Sequence, residues 1–176
     1  MTLPQSTDKD LWVSWDAYNG LIERLALQIH QADWPFDQIL CLARGGLRIG
    51  DVLSRIFDKP LAILIASSYR DDSGTTQSEL GIARFVTMMS EQLEGRVLVV
   101  DDMVDSGVTL ERVCQHLKAK FQGISELKSG VLWFKAHSSI KPDFYVEYLE
   151  TNPWIHQPFE RYDTLRPAAL AKFLGG

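Results

Sequence analysis

The chain has 176 residues, with 18 Lys+Arg against 23 Asp+Glu and a formal net charge of −5. This balance excludes a protein that grips nucleic acid through a broad basic surface, because phosphate-backbone affinity comes from clustered Lys and Arg. Apolar residues at 45% and charged residues at 23% exclude disorder as the main state, and the length suits one domain with a real core.

The polar stretch 1–10 has no apolar h-region and does not read as a signal peptide. The strongest apolar runs, 61–66 and 97–100, are far short of the ~20 residues of a membrane helix. A cytoplasmic protein that neither spans a membrane nor binds nucleic acid is expected. Cys41 and Cys114 lie in apolar segments and read as small buried hydrophobes in a reducing compartment; no CxxC or His/Cys cluster indicates zinc.

Ser14 is placed to cap a helix over 15–32, where Leu21, Ile22, Leu25 and Ile29 recur at helical spacing before Trp34-Pro35 ends it. A short buried strand follows at 37–43, then a tight turn at Arg44-Gly45-Gly46. Ile49, Leu53, Ile56 and Phe57 form a second helix face, and 61–66 is another buried strand after Pro60. Residues 67–81 are polar, carry Gly74 and Gly81, and read as a binding loop or lid, or alternatively as a plain solvated hairpin. Residues 96–102 form a Val/Leu-rich strand without alternation, the pattern of a strand buried on both faces of a parallel sheet. A helix over 107–121, strands over 127–134 and 143–148, an aromatic and Pro-rich tail at 152–162, and a short helix after Pro167 complete the chain. The strand–helix alternation predicts an α/β, doubly wound, mostly parallel sheet. Ligands bind such sheets beyond the carboxyl ends of the strands, so the segments after Ala43, Ala66, Val100 and Phe134 are where a site is expected.

The chemistry concentrates in 97–110, VLVVDDMVDSGVTL. A buried strand ends in Asp101 and Asp102, Asp105 follows, and Ser106-Gly107-Val108-Thr109 turns into a helix. The first N–H groups of a helix lack internal partners and lie at its positive end. Gly107 allows close backbone approach, and the hydroxyls of Ser106 and Thr109 add donors, which together make an anion cradle. The neighbouring carboxylates suit sugar hydroxyls and a divalent cation. The loop is neither GxxxxGK[ST] nor GxGxxG. The plainer alternative is an acidic strand end before an ordinary helix.

DDMVDSGVT at 101–109 resembles the phosphoribosyl-pyrophosphate (PRPP) motif of the type I phosphoribosyltransferases. LARGGL at 42–47, SSY at 67–69, WFKAHS at 133–138 and WIHQPFE at 154–160 resemble, in order, the pyrophosphate loop, the start of the catalytic lid, the lysine-bearing strand and the aromatic hood of the purine (xanthine–guanine and hypoxanthine) branch. The resemblance implies one domain over 1–176, with a core of about 15–135 and a small hood from the terminal segments, about 136–176. It implies transfer of the 5-phosphoribosyl group from PRPP to a 6-oxopurine, with Mg2+, by a homodimer or homotetramer. Asp101 and Asp102 match the pair that binds the ribose hydroxyls, with the metal mainly on Asp102. Met103 and Val104 belong to the same motif. Asp105 matches the general acid/base toward N7 of the purine, near the oxocarbenium-like centre.

Ser106, Gly107, Val108 and Thr109 match the 5′-phosphate loop. Arg44 and Gly45 match the pyrophosphate loop, where a cis peptide is typical, and Ser68 and Tyr69 match the lid. Lys135 matches the contact to the exocyclic O6, Trp154 the aromatic stacked on the base, and Ile155 a backbone contact to the purine edge. The chain departs from the family pattern in three places: Val108 replaces a glycine, the loop carrying Asp71-Asp72 is acidic, and His156 stands where the xanthine–guanine type often has Glu. His116, His137 and His156 read as surface or structural residues, and Glu160 as a surface carboxylate rather than a second Mg2+ ligand. Two rival functions share this fold: a PRPP- or nucleotide-sensing regulator that has lost catalysis, and a transferase for another base. Asp105 argues against the first, and Lys135 and Trp154 against the second.

Overall fold

A computed structural model describes residues 7–68, 80–90 and 92–175. In chain order the elements are β1 (Asp10–Trp12), α1 (Trp15–Gln31), β2 (Gln38–Ala43), α2 (Leu47–Phe57), β3 (Leu61–Ser68), β4 (Leu80–Ile82), β5 (Gly95–Val104), α3 (Val108–Lys120), β6 (Ile124–Lys135), β7 (Phe144–Leu149), β8 (Trp154–His156), α4 (Arg161–Thr164) and α5 (Pro167–Leu174). Ser14 caps α1 as the spacing predicts, its hydroxyl accepting the Ala17 N–H at 3.1 Å.

Six strands form one sheet in the order β4-β3-β2-β5-β6-β7, parallel throughout except for the antiparallel β3–β4 edge pair. Side chains alternate along each strand, and here both faces are covered. Ile39 and Cys41 of β2, with Leu98 and Val100 of β5, enter one core with Tyr18, Ile22 and Leu25 of α1. Leu40 and Leu42, with Val97 and Val99, enter the other with Val113 and Leu117 of α3. A strand buried on both sides needs apolar residues along its length, which is why 39–43 and 97–100 show no polar alternation. Full burial of each such side chain contributes about 1.5–3 kcal/mol.

The chain leaves β2 for β3 on one side and returns to β5 on the other. The carboxyl ends of β2 and β5 therefore sit together while the connections beyond them diverge, which is the crevice where such sheets bind ligands. A second sheet of two strands pairs β1 with β8 in parallel, matching Asp10 with Trp154 and Trp12 with His156. This small sheet joins a segment near the start of the chain to one near its end. One correction applies to its boundary: β7 pairs with β6 in the main sheet, so the segment 136–176 also supplies a core strand.

β6 begins at Ile124 rather than 127, because its first residues are half-exposed and polar and carry no apolar run. Cys41 is buried and free, and burial pushes its thiol up to about 11; Cys114 is free and only half-buried. Among the described residues no helix is long and apolar enough to cross a membrane.

Candidate active site

The register Cys41↔Val100 brings the turn after β2 beside the end of β5. That turn is closed by Gly46 N–H donating to Leu42 O at 2.8 Å and Leu47 N–H donating to Arg44 O at 3.2 Å. The Ala43–Arg44 peptide is cis, as the resemblance implies. Gly45 lies directly on the acidic pair: a Cβ there would stand 2.6 Å from Asp102 Cγ and 2.8 Å from Asp101 Oδ1. The close approach of turn and carboxylates thus depends on glycine. The Arg44 side chain is exposed and reaches Asp163 Oδ1 of α4 at 3.3 Å.

Asp101 and Asp102 lie within β5, which continues two residues beyond the expected end at 102. Asp101 Oδ1 accepts the Asp102 N–H at 2.9 Å, and Asp102 Oδ1 accepts the Met103 N–H at 2.8 Å. Gln157, from the segment after β8, donates its side-chain amide to Asp102 Oδ2. Burial, then the Asp102 charge, pushes the Asp101 carboxyl well above the usual carboxylate range; burial also raises Asp102. Tyr18 lies in the same field, its hydroxyl pushed up by burial and by Asp102, and the hydroxyl is buried without a hydrogen-bond partner. Among the described residues no Lys, Arg or His forms an ion pair with Asp101 or Asp102.

Asp105 follows β5 with an exposed side chain. Lys135 Nζ stands 3.2 Å and His137 Nε2 3.0 Å from its Oδ1. Lys135, the last residue of β6, is only 7% exposed and also donates to Asn152 Oδ1 at 2.7 Å. Beyond Asp105, Gly107 takes φ +87° and opens α3, whose N-terminus has no side-chain cap. Ser139 braces this loop, its N–H and its hydroxyl each donating to Ser106 O at 3.0 Å. A Cβ on Gly107 would meet Ile140 Cγ2 at 2.4 Å and Ser138 Oγ at 2.6 Å. The Gly107→Ala variant is therefore expected to lose about 1–3 kcal/mol of stability from strain at a positive φ and overpacking. Chemical denaturation checks the loss.

Two adjoining cavities share Arg44, Gly45, Asp102, Met103 and Asp105. The first, about 380 Å³, is closed by Asp101, Val104, Ser106, Gly107 and Thr109. The second, about 630 Å³, is walled by Lys135, Trp154, Ile155, Gln157, Phe159 and Glu160. Trp154 is 57% exposed, and its indole N–H donates to Glu160 Oε1 at 2.8 Å. Arg48 lies 4.0 Å above the Phe159 ring.

The fold thus gathers most of the residues singled out in the sequence. The side chain of Val108, the first residue of α3, is exposed and does not line the cavity; its N–H donates to Ser106 Oγ at 3.5 Å. The backbone of Ser68 ends β3, paired with Leu80. Tyr69 and Asp71-Asp72 of the expected lid lie outside the described residues. The sequence reading missed Gln157 and the contact of His137 with Asp105. Neither leaves a periodic signal, since Gln157 reaches the acidic pair from 55 residues away. The nearness of His137 to Lys135 in the chain was the one available clue.

The model of the phosphoribosyl transferase domain matches residues 14–164. A xanthine-guanine phosphoribosyltransferase of Idiomarina loihiensis is 30% identical over 158 residues, covering 89% of this chain and 90% of that protein. A purine phosphoribosyltransferase structure from Pyrococcus horikoshii superposes with a TM-score of 0.68 at 29% identity, over 85% of this chain and 93% of that one. A xanthine-guanine-hypoxanthine phosphoribosyltransferase of Helicobacter pylori has the same fold, with a TM-score of 0.70 at 23% identity over 89% of this chain and 99% of that one. The chain belongs to the phosphoribosyltransferase family.

Proposed function

We propose that the chain is a purine phosphoribosyltransferase of nucleotide salvage. It joins the 5-phosphoribosyl group of PRPP to a 6-oxopurine (hypoxanthine, guanine or xanthine) and releases pyrophosphate. One observation carries this reading: the two cavities meet at Asp105, with an anion cradle on one side and a lysine-and-tryptophan pocket on the other. The names of the relatives support the same substrates.

In this reading the free N–H groups at the start of α3, with Ser106 and Thr109, hold the 5′-phosphate. The Arg44-Gly45 turn receives the pyrophosphate. Asp101 and Asp102 take the ribose hydroxyls. Lys135 donates to O6, Trp154 stacks on the base and Ile155 meets its edge through the backbone. The purine nitrogen bonds to C1′ as the C1′–pyrophosphate bond breaks, and Asp105 accepts the proton that the base gives up. Placing both reactants at one carboxylate removes much of the entropic barrier to their meeting.

Mg2+ fits the acidic end. It is usually held by one or two carboxylates together with substrate phosphates. Asp101 and Asp102 are a lone carboxylate pair of this kind, and no group of three or more His, Cys, Asp or Glu among the described residues forms a metal cluster. Asp102, with Asp101 beside it, would hold the ion, which when bound neutralises charge on the departing pyrophosphate. The reading extends to a cytoplasmic homodimer or homotetramer, whose mass sedimentation would measure.

The test is turnover with PRPP, Mg2+ and a panel of bases. Nucleotide is expected from the 6-oxopurines and not from adenine. Lys135→Ala is expected to raise KM for the base by about 10–100-fold, the worth of one hydrogen bond from a charged group. PRPP binding without turnover on any base would favour the sensing regulator instead.

A further inference from the structure

The hood contains a chain of polar contacts that the reaction above leaves unused. His156, the last residue of β8, has Nε2 2.8 Å from Asp10 Oδ1 in β1 and Nδ1 3.3 Å from Glu160 Oε2 just before α4. Its ring lies flat on Trp12, with centroids 3.7 Å apart and planes inclined by 7°. Each ring nitrogen thus faces a carboxylate oxygen. A neutral imidazole has only one N–H, so the imidazolium alone presents an N–H to both. Stacking on the Trp12 face favours the same cation. The other oxygen of Glu160 accepts the Trp154 indole N–H at 2.8 Å. Asp10 and Glu160 are the charged groups that meet His156 among the described residues, one from β1 and one from the turn into α4.

We propose that His156 is a positioning residue for the base pocket: as imidazolium it fixes Glu160, and Glu160 fixes the indole of Trp154. The proposal rests on the reading of that pocket as the purine site. Trp154 is more than half exposed, so little packing restrains its ring, and its orientation depends on this chain of contacts. A side chain that cannot meet both carboxylates releases Glu160, and with it the ring.

The first test is His156→Gln, which can keep one of the two contacts but not both. KM for the base is expected to rise about 3–10-fold, with KM for PRPP unchanged. Glu160→Ala removes the link to the indole and is expected to raise base KM by a similar factor, and adding His156→Gln to it should weaken the base little further. A merely structural histidine would not separate base KM from PRPP KM, and its effect would add to that of Glu160→Ala.

A readout independent of turnover is the NMR resonance of the Trp154 indole N–H, assigned by its loss in Trp154→Phe. It is expected to move in His156→Gln and in Glu160→Ala. A resonance that ignores His156, or a base KM unchanged in His156→Gln, overturns the proposal. A coupled resonance without turnover on any 6-oxopurine supports the positioning contact and overturns only the purine reading.

Discussion

Asp105→Asn is expected to lower kcat by about 10²–10⁴-fold, the usual worth of a general acid/base, while PRPP affinity stays within about threefold. The substitution isolates proton transfer because it preserves shape. Lys135 Nζ and His137 Nε2 both approach Asp105 Oδ1, and an amide oxygen in that place still accepts from them. What the amide cannot do is take the proton from the base. Single-turnover kinetics and equilibrium PRPP titration separate the two effects. Equal loss in both would make Asp105 a binding residue.

Asp102→Asn is expected to abolish most turnover and yet to stabilise the ligand-free protein at neutral pH. Burial raises both carboxyls of the pair, and Asp102 adds its charge to Asp101. A raised carboxyl means that the folded chain holds its proton more tightly than the unfolded one. The corresponding stability is fully present below the unfolded carboxylate range, near ~3.9, and is lost as pH rises through the folded values. Above the unfolded range the raised pair therefore costs stability, and removing one of its carboxyls recovers part of it.

The amide fits: its oxygen still accepts the Met103 N–H, and Gln157, whose Oε1 is buried without a partner, can turn over to accept from the new NH₂. The gain should be about 1–2 kcal/mol, or about 2–6 °C in Tm for a chain of this size. Calorimetry with and without Mg2+ and PRPP is the check. The wild type should gain Tm from the pair of ligands and the variant should not. A lower Tm for the ligand-free variant would show that the carboxylate supports the fold.

The central strands were legible in the sequence for a simple reason. Residues 38–42 of β2 and 97–100 of β5 are all buried, and their apolar runs report the strands through composition alone. The acidic loop was legible because its carboxylates, glycine and hydroxyls are contiguous and need no tertiary knowledge to be read as a site. β1, β4 and β8 were not legible: each has three residues, too few to establish a period. β1 and β8 exist only through a pairing between opposite ends of the chain. The same distance hid Gln157 and the contacts of His156, since a hydrogen bond between remote segments depends on how the chain returns and not on local pattern.

The two halves of the candidate site differ in mechanical grade. The phosphate loop and the acidic pair grow out of a ten-residue strand locked between neighbours on both sides. The aromatic wall of the base pocket hangs from a clasp of three residues against three. Small units of this kind open at lower free energy than core strands, so the clasp can part while the sheet stays whole. Hardening the core will then leave the grip on the base untouched. Shortening the chain through Trp12 should act as a lesion of the base pocket, although it removes no residue that lines it.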